Sequence, residues 1–483
     1  MQIIHHGAHS GVTGSCHELR IQQRGILIDC GLFQGDEKNG SLDIEFPVDH
    51  IDALLLTHCH IDHVGRIPWL LAAGFRRPIY ASEATAALLP LMLDDALKIQ
   101  LKLGKEQRST FINLVSSLLR PVPFNCQAVV TLADGGRVKA CFRQAGHILG
   151  SAYIELELAD GKVVVFSGDL GPCDTPLLVD PVPPQRADTL VIESTYGDRL
   201  HDNVTERSCR LAEVIAKSLV DGGSILIPSF SVGRTQELLF DIEMILSEVA
   251  AKAEADAENQ KWDGRKGRGK SAGRAVGNFN WSTLPIILDS PLAGKITEQY
   301  EVFQRLWAKE AKHRVLKGHY PLSFSQCVSI ESHEEHIKLV NRLRQSGEPA
   351  VVIAASGMCE GGRIVNYLKA LLPDPRTDVV FIGYQAWGTT GRALLEEPAE
   401  IDIQRENIPV KAKIHQISGY SAHADQADLL KFVEGIEVGP EQIRVVHGDA
   451  PAQQAFAAQL RRVKPDSEVV VTANIDKPVS LTS

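Results

Sequence analysis

Apolar residues along the first ~200 positions fall into short unbroken runs, and each run ends in a polar or ionisable residue. Gly25-Ile26-Leu27-Ile28-Asp29-Cys30, Ile51-Asp52-Ala53-Leu54-Leu55-Leu56-Thr57, Gly161-Lys162-Val163-Val164-Val165-Phe166-Ser167 and Thr189-Leu190-Val191-Ile192-Glu193 all have this form. Continuous apolar runs of this length suit strands covered on both faces. Open α/β sheets place their sites beyond the carboxyl ends of such strands. The opening residues Met1-Gln2-Ile3-Ile4-His5-His6 read as a first strand and lack the charged start and apolar core of a signal peptide.

From about residue 206 the pattern becomes strand–helix alternation. Leu211, Val214, Ile215 and Leu219 have helical spacing, Ser224–Pro228 reads as a strand, and Leu238, Leu239, Ile242 and Ile245 line one face of a helix over 234–246. Strands over 285–289, 350–355 and 378–383 alternate with helices near 334–344 and 361–371. After about residue 396 the first texture returns, with strands at 415–418 and 443–447. Residues 251–280 stand apart, with few apolar positions, many glycines and seven basic against four acidic residues. They read as a flexible insertion.

Composition narrows the class. The chain has 483 residues, 44% hydrophobic and 23% charged, which is ordinary for a globular protein. A net charge of −10 excludes a general basic coat for nucleic acid, although a local basic groove remains compatible with it. No apolar run approaches the ~18 residues of a membrane-spanning helix, so no membrane partner is expected. Nine cysteines without a CxxC pair suggest reduced thiols and a cytoplasmic location.

The strongest chemical signal is Thr57-His58-Cys59-His60-Ile61-Asp62-His63, three imidazoles and a carboxylate directly after a strand. Imidazole nitrogens and carboxylate oxygens are the donors of zinc sites that keep an open position. His58 and His60, two apart, project to the same side of an extended segment. Asp62 and His63 follow a turn and can serve a second ion. Asp169 ends a strand, and its two oxygens suit a bridge; His147 sits in the small-residue loop Gly146–Ala152; His447 ends another strand. Spacing alone leaves open whether these three join the cluster. Cys59 lies between ligand positions with its side chain expected to point away, in a packing role.

The run HCHIDH matches the HxHxDH signature of the metallo-β-lactamase superfamily, and Asp29, His147 and Asp169 match its other motifs in order. The remainder resembles the β-CASP branch, the nucleic-acid nucleases that include the mRNA 3′-end processing endonuclease and bacterial RNA-degrading members. Its three further motifs match Glu193 in Glu193-Ser-Thr-Tyr-Gly-Asp198, His423 in Ser418-Gly-Tyr-Ser-Ala-His-Ala-Asp425, and His447. Ile227–Arg234, Leu288–Ala293, Ser356–Arg363 and Gly383–Gln385 look like blocks of the inserted β-CASP domain.

The resemblance implies an αββα sandwich built from residues 1–205 and 396–483, with an inserted α/β domain over 206–395 and the active site in the cleft between domains. It implies two zinc ions, the first on His58, His60 and His147, the second on Asp62, His63 and His447, with Asp169 bridging. His423 would be the general acid with Glu193 oriented against it, and Asp29 would orient ligand histidines. Ser229, Arg234, Ser356, Gly357, Arg363 and Ser421 would contact RNA, the arginines pairing with phosphates and the loops offering backbone N–H groups. Histidine at the third motif favours RNA over DNA by family analogy. The expected activity is hydrolysis of single-stranded RNA, endonucleolytic ahead of 5′-exonucleolytic, with a homodimer expected because family members often dimerise. Two rivals stand beside it: a hydrolase of another substrate (a small ester, thioester or lactam, or DNA), and a catalytically silent RNA-binding subunit.

Overall fold

The computed structural model describes residues 1–34, 42–202, 204–262 and 280–474. The chain folds as two units. The first comprises Met1–Leu200, Val302–Ala308 and Ala422–Ser483, and the second His201–Glu301 and Lys309–Ser421.

The first unit holds two sheets. One runs in the order Gln2–Gly7, Cys16–Ile21, Arg24–Ile28, Ile51–Leu55, Ile79–Ser82, Leu119–Val122, antiparallel over the first three strands and parallel afterwards. The other runs Glu468–Val471, Gln442–Val445, Thr189–Ile192, Val163–Phe166, Ala152–Glu157, Arg137–Gln144, Gln127–Thr131. Its first four strands are parallel and the rest antiparallel.

The period of two along each strand explains the layering. Ile26, Ile28, Ala53 and Leu55 meet Val164, Phe166 and Val191 in one core between the sheets. The alternate residues Leu27 and Leu54 face outward under helices Ile67–Ala72, Glu83–Gln100 and Lys105–Leu118. Val165, Leu190 and Ile192 face outward under helices Gln426–Glu434 and Ala450–Val463. Four layers, helix–sheet–sheet–helix, follow from strands that are apolar on both faces. This is the αββα arrangement that the motifs implied.

The second unit is built on one parallel sheet in the order Cys327–Ser329, Ile286–Asp289, Val351–Ala354, Ile225–Pro228, Asp378–Phe381, Lys413–Gln416. Helices His333–Ser346 and Ile364–Leu371 cover it through Val340, Leu343, Ile364, Val365 and Leu368. Helix His333–Ser346 begins with a capping box, Ser332 against Glu335, and stops at Gly347 in the left-handed region (φ 59°).

Three sequence expectations shift here. Residues expected to return to the first unit form strand Lys413–Gln416, which pairs with Asp378–Phe381, so the boundary between the units falls after Ser421 and not near 396. A short apolar run does not say which sheet will receive it. The helix begun at Arg234 runs to Trp262, through residues expected to open a flexible insertion. Its Ala, Glu and Lys residues are strong helix formers despite lacking an apolar face. The glycine-rich remainder of that insertion lies outside the described residues. Finally, Val302–Ala308, from the middle of the inserted domain, groups with the first unit, where Trp307 is buried and bridges Leu178. Among the described residues no helix is long and apolar enough to cross a membrane.

Candidate metal centre

Four strand ends, a tight loop and the start of a helix in the first unit deliver the site. Strand Ile51–Leu55 leads to His58 and His60, and a single helical turn, Ile61–Val64, then presents Asp62 and His63. His147 is held in a tight loop whose glycines take positive φ (Gly146 71°, Gly150 84°). Asp169 follows strand Val163–Phe166 through Gly168 (φ 52°), where a Cβ would lie 2.6 Å from Thr57. Glu193 ends strand Thr189–Ile192, and His447 follows Gln442–Val445. His423 precedes the helix Gln426–Glu434, whose first turn is capped by Asp425. The Ala424 N–H donates to the Leu170 carbonyl (2.7 Å), which ties the His423 segment to the residue after Asp169.

Among the described residues the donor atoms form three groups that share Asp169: two rich in imidazoles, and a third that joins it to Glu193 and His423. His60 Nδ1 lies 3.2 Å from His58 Nε2 and 3.0 Å from His147 Nε2. Asp169 Oδ2 faces this trio, 3.6 Å from His58 Nε2 and 3.5 Å from His147 Nε2. Asp169 Oδ1 faces the other set, 3.2 Å from His63 Nε2 and 3.7 Å from His447 Nε2. Asp62 Oδ2 closes that set at 3.7 Å from His447 Nε2 and 3.9 Å from His63 Nε2. Tetrahedral ligands at ~2.0–2.1 Å from zinc stand about 3.3 Å apart, close to these spacings. Both Asp169 oxygens are buried, and neither has a hydrogen-bond partner among the described residues. A carboxylate is not left so among imidazoles unless something cationic satisfies it. The donor set therefore fits divalent metal, and zinc in particular.

Neighbouring groups fix which nitrogen each ring presents. His63 Nδ1 donates to Asp29 Oδ2 (2.8 Å), and Asp29 is itself held by the Thr57 N–H (2.8 Å) and hydroxyl (2.7 Å). His147 Nδ1 donates to the Ala422 carbonyl (2.7 Å), and Thr195 Oγ1 meets His447 Nδ1 (3.1 Å). In each case Nε2 is left for the site. Sequence reasoning missed Thr57, Thr195 and the Ala422 carbonyl. Thr57 and Thr195 each adjoin or lie near a matched residue, but a main-chain carbonyl leaves no mark in a sequence.

Burial holds His58 and His147 well below the ordinary imidazole range, and it brings His60 to about 4, so these rings stand neutral as ligands must. At His63 burial is outweighed by the charges of Asp169 and Asp29, which raise it. At His447 burial is outweighed by Asp169 and the bond to Asp62, which bring it to about 9. Asp169 is pulled well down by the surrounding rings despite its burial. The carboxylates thus favour positive charge at the second set, which a cation would supply.

His423 and Glu193 make up the third group with Asp169. Glu193 is fully buried, its Oε1 accepts the Leu170 N–H (2.6 Å), and His423 Nδ1 lies 3.1 Å from Oε2. His423 Nδ1 is 3.7 Å from Asp169 Oδ2, and its side chain is 12% exposed. Cys59 is buried and belongs to none of the metal-competent groups among the described residues; burial pushes its thiol up to about 12.

The residues expected to contact RNA lie outside these groups, in the second unit. Ser229 is buried and bonds Thr235 Oγ1 (2.9 Å); Arg234 is buried, with NH1 donating to the Tyr420 carbonyl (2.9 Å). The Gly357 carbonyl accepts from Gln385 Nε2 (3.0 Å), Ser356 adjoins it, and Ser421 is buried. Arg363 already has protein partners, with NH1 donating to Asp289 (2.5 Å) and the Ile330 carbonyl (2.7 Å) and NH2 to the Glu331 carbonyl (3.0 Å). Its guanidinium braces the loop, which works against the forked phosphate contact expected of it.

Comparison with known proteins matches the metallo-beta-lactamase superfamily model over residues 10–200, the Beta-Casp domain over 272–394 and the Zn-dependent metallo-hydrolase RNA specificity domain over 407–472. The chain is 35% identical to Ribonuclease TTHA0252 of Thermus thermophilus across 93% of each chain. It is 31% identical to Transcription termination factor FttA of Methanocaldococcus jannaschii, over 96% of this chain and 69% of that one. The factor of the same name from Methanosarcina mazei is 30% identical over 91% of this chain and 66% of that one. The chain thus spans about two thirds of the archaeal factors' length.

Proposed function

Since the chain belongs to the metallo-β-lactamase superfamily, in its β-CASP branch, we propose that it is a metal-dependent ribonuclease that hydrolyses phosphodiester bonds of single-stranded RNA. The relative named a ribonuclease and the RNA specificity domain support RNA as the substrate. The observation that carries the reading is Asp169, whose two oxygens have no hydrogen-bond partner among the described residues and each face a separate set of donors. That division supports two zinc ions, one on His58, His60 and His147, the other on Asp62, His63 and His447. When bound, such a pair supplies a nucleophile at neutral pH and neutralises charge on the phosphoryl oxygens.

The chain's own residues do the rest. Asp29, Thr195 and the Ala422 carbonyl keep the ligand rings in one tautomer. The Glu193 carboxylate accepts from His423 Nδ1, which orients the ring for Nε2 to deliver a proton to the departing 3′ oxygen. Glu193 also accepts from the Leu170 main chain, so the acid is oriented against the segment that carries Asp169.

The test is a time course of zinc-loaded protein on 5′-labelled single-stranded RNA. Internal products that appear before mononucleotides support endonucleolytic cleavage. Turnover of a chromogenic ester with intact RNA would contradict the proposal. His423→Ala should slow single-turnover cleavage by ~10²–10⁴-fold with its zinc content unchanged. Zinc loss in that variant would make His423 a ligand and not an acid.

A further inference from the structure

In the second unit, the loops after Ile225–Pro228, Val351–Ala354 and Asp378–Phe381 leave the carboxyl ends of three adjacent parallel strands. They are tied into one surface. Gln385 Nε2 donates to the Gly357 carbonyl (3.0 Å), the Gly391 N–H to the Met358 carbonyl (3.0 Å) and the Thr390 N–H to Glu360 (2.7 Å). A Cβ on Gly357 would lie 2.8 Å from the Phe230 ring, so the first loop packs there as well.

Two side chains on this surface stand together. Trp387 is 58% exposed, with the Arg392 guanidinium carbon 4.0 Å from its ring centre. Arg392 lies in the short helix Thr390–Leu394, its main-chain N–H bonded to Thr389 Oγ1. Among the described residues no carboxylate or carbonyl accepts from its guanidinium, and its Nε is buried without a hydrogen-bond partner. The aromatic residues nearest the family motifs, Tyr196, Phe230 and Tyr420, are placed differently: the two tyrosines are buried and Phe230 is half-buried.

An exposed indole presents a π face, and an arginine without an anion presents donors. A nucleotide satisfies both, its base stacking on the ring and its phosphate taking the guanidinium. The unpaired cation is complementary to a polyanion more than to an apolar protein surface. The geometry points to a nucleotide subsite at Trp387 and Arg392, which grips one unpaired base of single-stranded RNA and the phosphate beside it. The inference rests on the ribonuclease reading above. Base–indole stacking is indifferent to base identity, so the subsite sets where a strand is held and not which sequence is cut.

The experiment titrates chelator-treated, full-length protein into 5′-fluorescein single-stranded RNA, followed by anisotropy. A set of strands carries one abasic nucleotide at successive positions. The wild type is expected to lose ~5- to 150-fold in affinity when the abasic nucleotide occupies one position. Trp387→Ala should bind the intact strand weaker by the same factor and ignore the abasic nucleotide there, and Trp387→Phe should recover most of the loss. Arg392→Gln should lower the slope of log K against log salt by about 1. In zinc-loaded protein, Trp387→Ala should raise KM with kcat nearly unchanged. Equal affinity of Trp387→Ala and wild type for intact RNA, or retained abasic sensitivity in the variant, would overturn the subsite and leave the indole to a protein partner. That result with normal cleavage sinks the subsite alone; a wild type that cuts no RNA sinks the ribonuclease reading, while the anisotropy still decides the subsite.

Discussion

Asp29 shows how much one residue beyond the ligands controls. It sits in the left-handed region (φ 61°) and takes three hydrogen bonds, one of them from His63 Nδ1. Asp29→Asn should keep the fold and lower zinc affinity by ~10–100-fold, measured by competition with a chromophoric chelator. Unchanged affinity would remove Asp29 from the site. A second acid governs stability away from the metals. Glu18 is fully buried among His6, Arg20 and His50, and these partners outweigh burial and hold it near 2 against an ordinary 4.5. A depressed carboxyl stabilises above its unfolded value, and that contribution is lost as pH falls through the folded one. The stability difference between wild type and Glu18→Gln should therefore shrink by on the order of 3 kcal/mol from about pH 6 to about pH 2. Urea melts of both proteins measure it, and metal loss common to both cancels. At this scale the sequence was most legible where chemistry is concentrated. HCHIDH announces itself, whereas Arg363 gave no sign that Asp289 and two carbonyls would occupy it.

The ligand-bearing elements depend on close approaches that only glycine allows. A Cβ on Gly31 would lie 1.5 Å from the Asp62 carbonyl oxygen and 2.8 Å from the His63 nitrogen, inside the turn that carries both ligands. Gly31→Ala should displace that turn and weaken the second zinc by at least roughly tenfold, while the first set, held by His58, His60 and His147, retains its ion. Metal titration read as two separate steps distinguishes this from global unfolding, and equal loss at both steps would contradict it. Strand positions were readable from continuous apolar runs because both sheets of the first unit are covered on both faces. Sheet membership was not, as strand Lys413–Gln416 shows, because an apolar run encodes burial and not its neighbour. Helix length was misjudged past Leu246 for a related reason: propensity without an apolar face looks like linker until the backbone is seen.

On the scale of the whole chain, charge misleads and topology informs. A net charge of −10 argues against a polyanion substrate, yet the cations that matter are local: the metal positions proposed above, and an arginine with no anion among the described residues beside an exposed indole. The first unit is assembled from both ends of the sequence, and His447 meets His63 at 3.3 Å across 384 positions. No local pattern predicts that meeting; only the match to motifs in a fixed order does, which is why the ligand set and the αββα layering needed the resemblance while the strand runs did not. The most direct test is the zinc content of the full-length protein after exhaustive dialysis, beside that of Asp169→Asn. We expect two zinc ions per chain in the wild type and fewer than one in the variant. One or none in the wild type, or two retained without the shared carboxylate, would contradict a dinuclear centre built on Asp169.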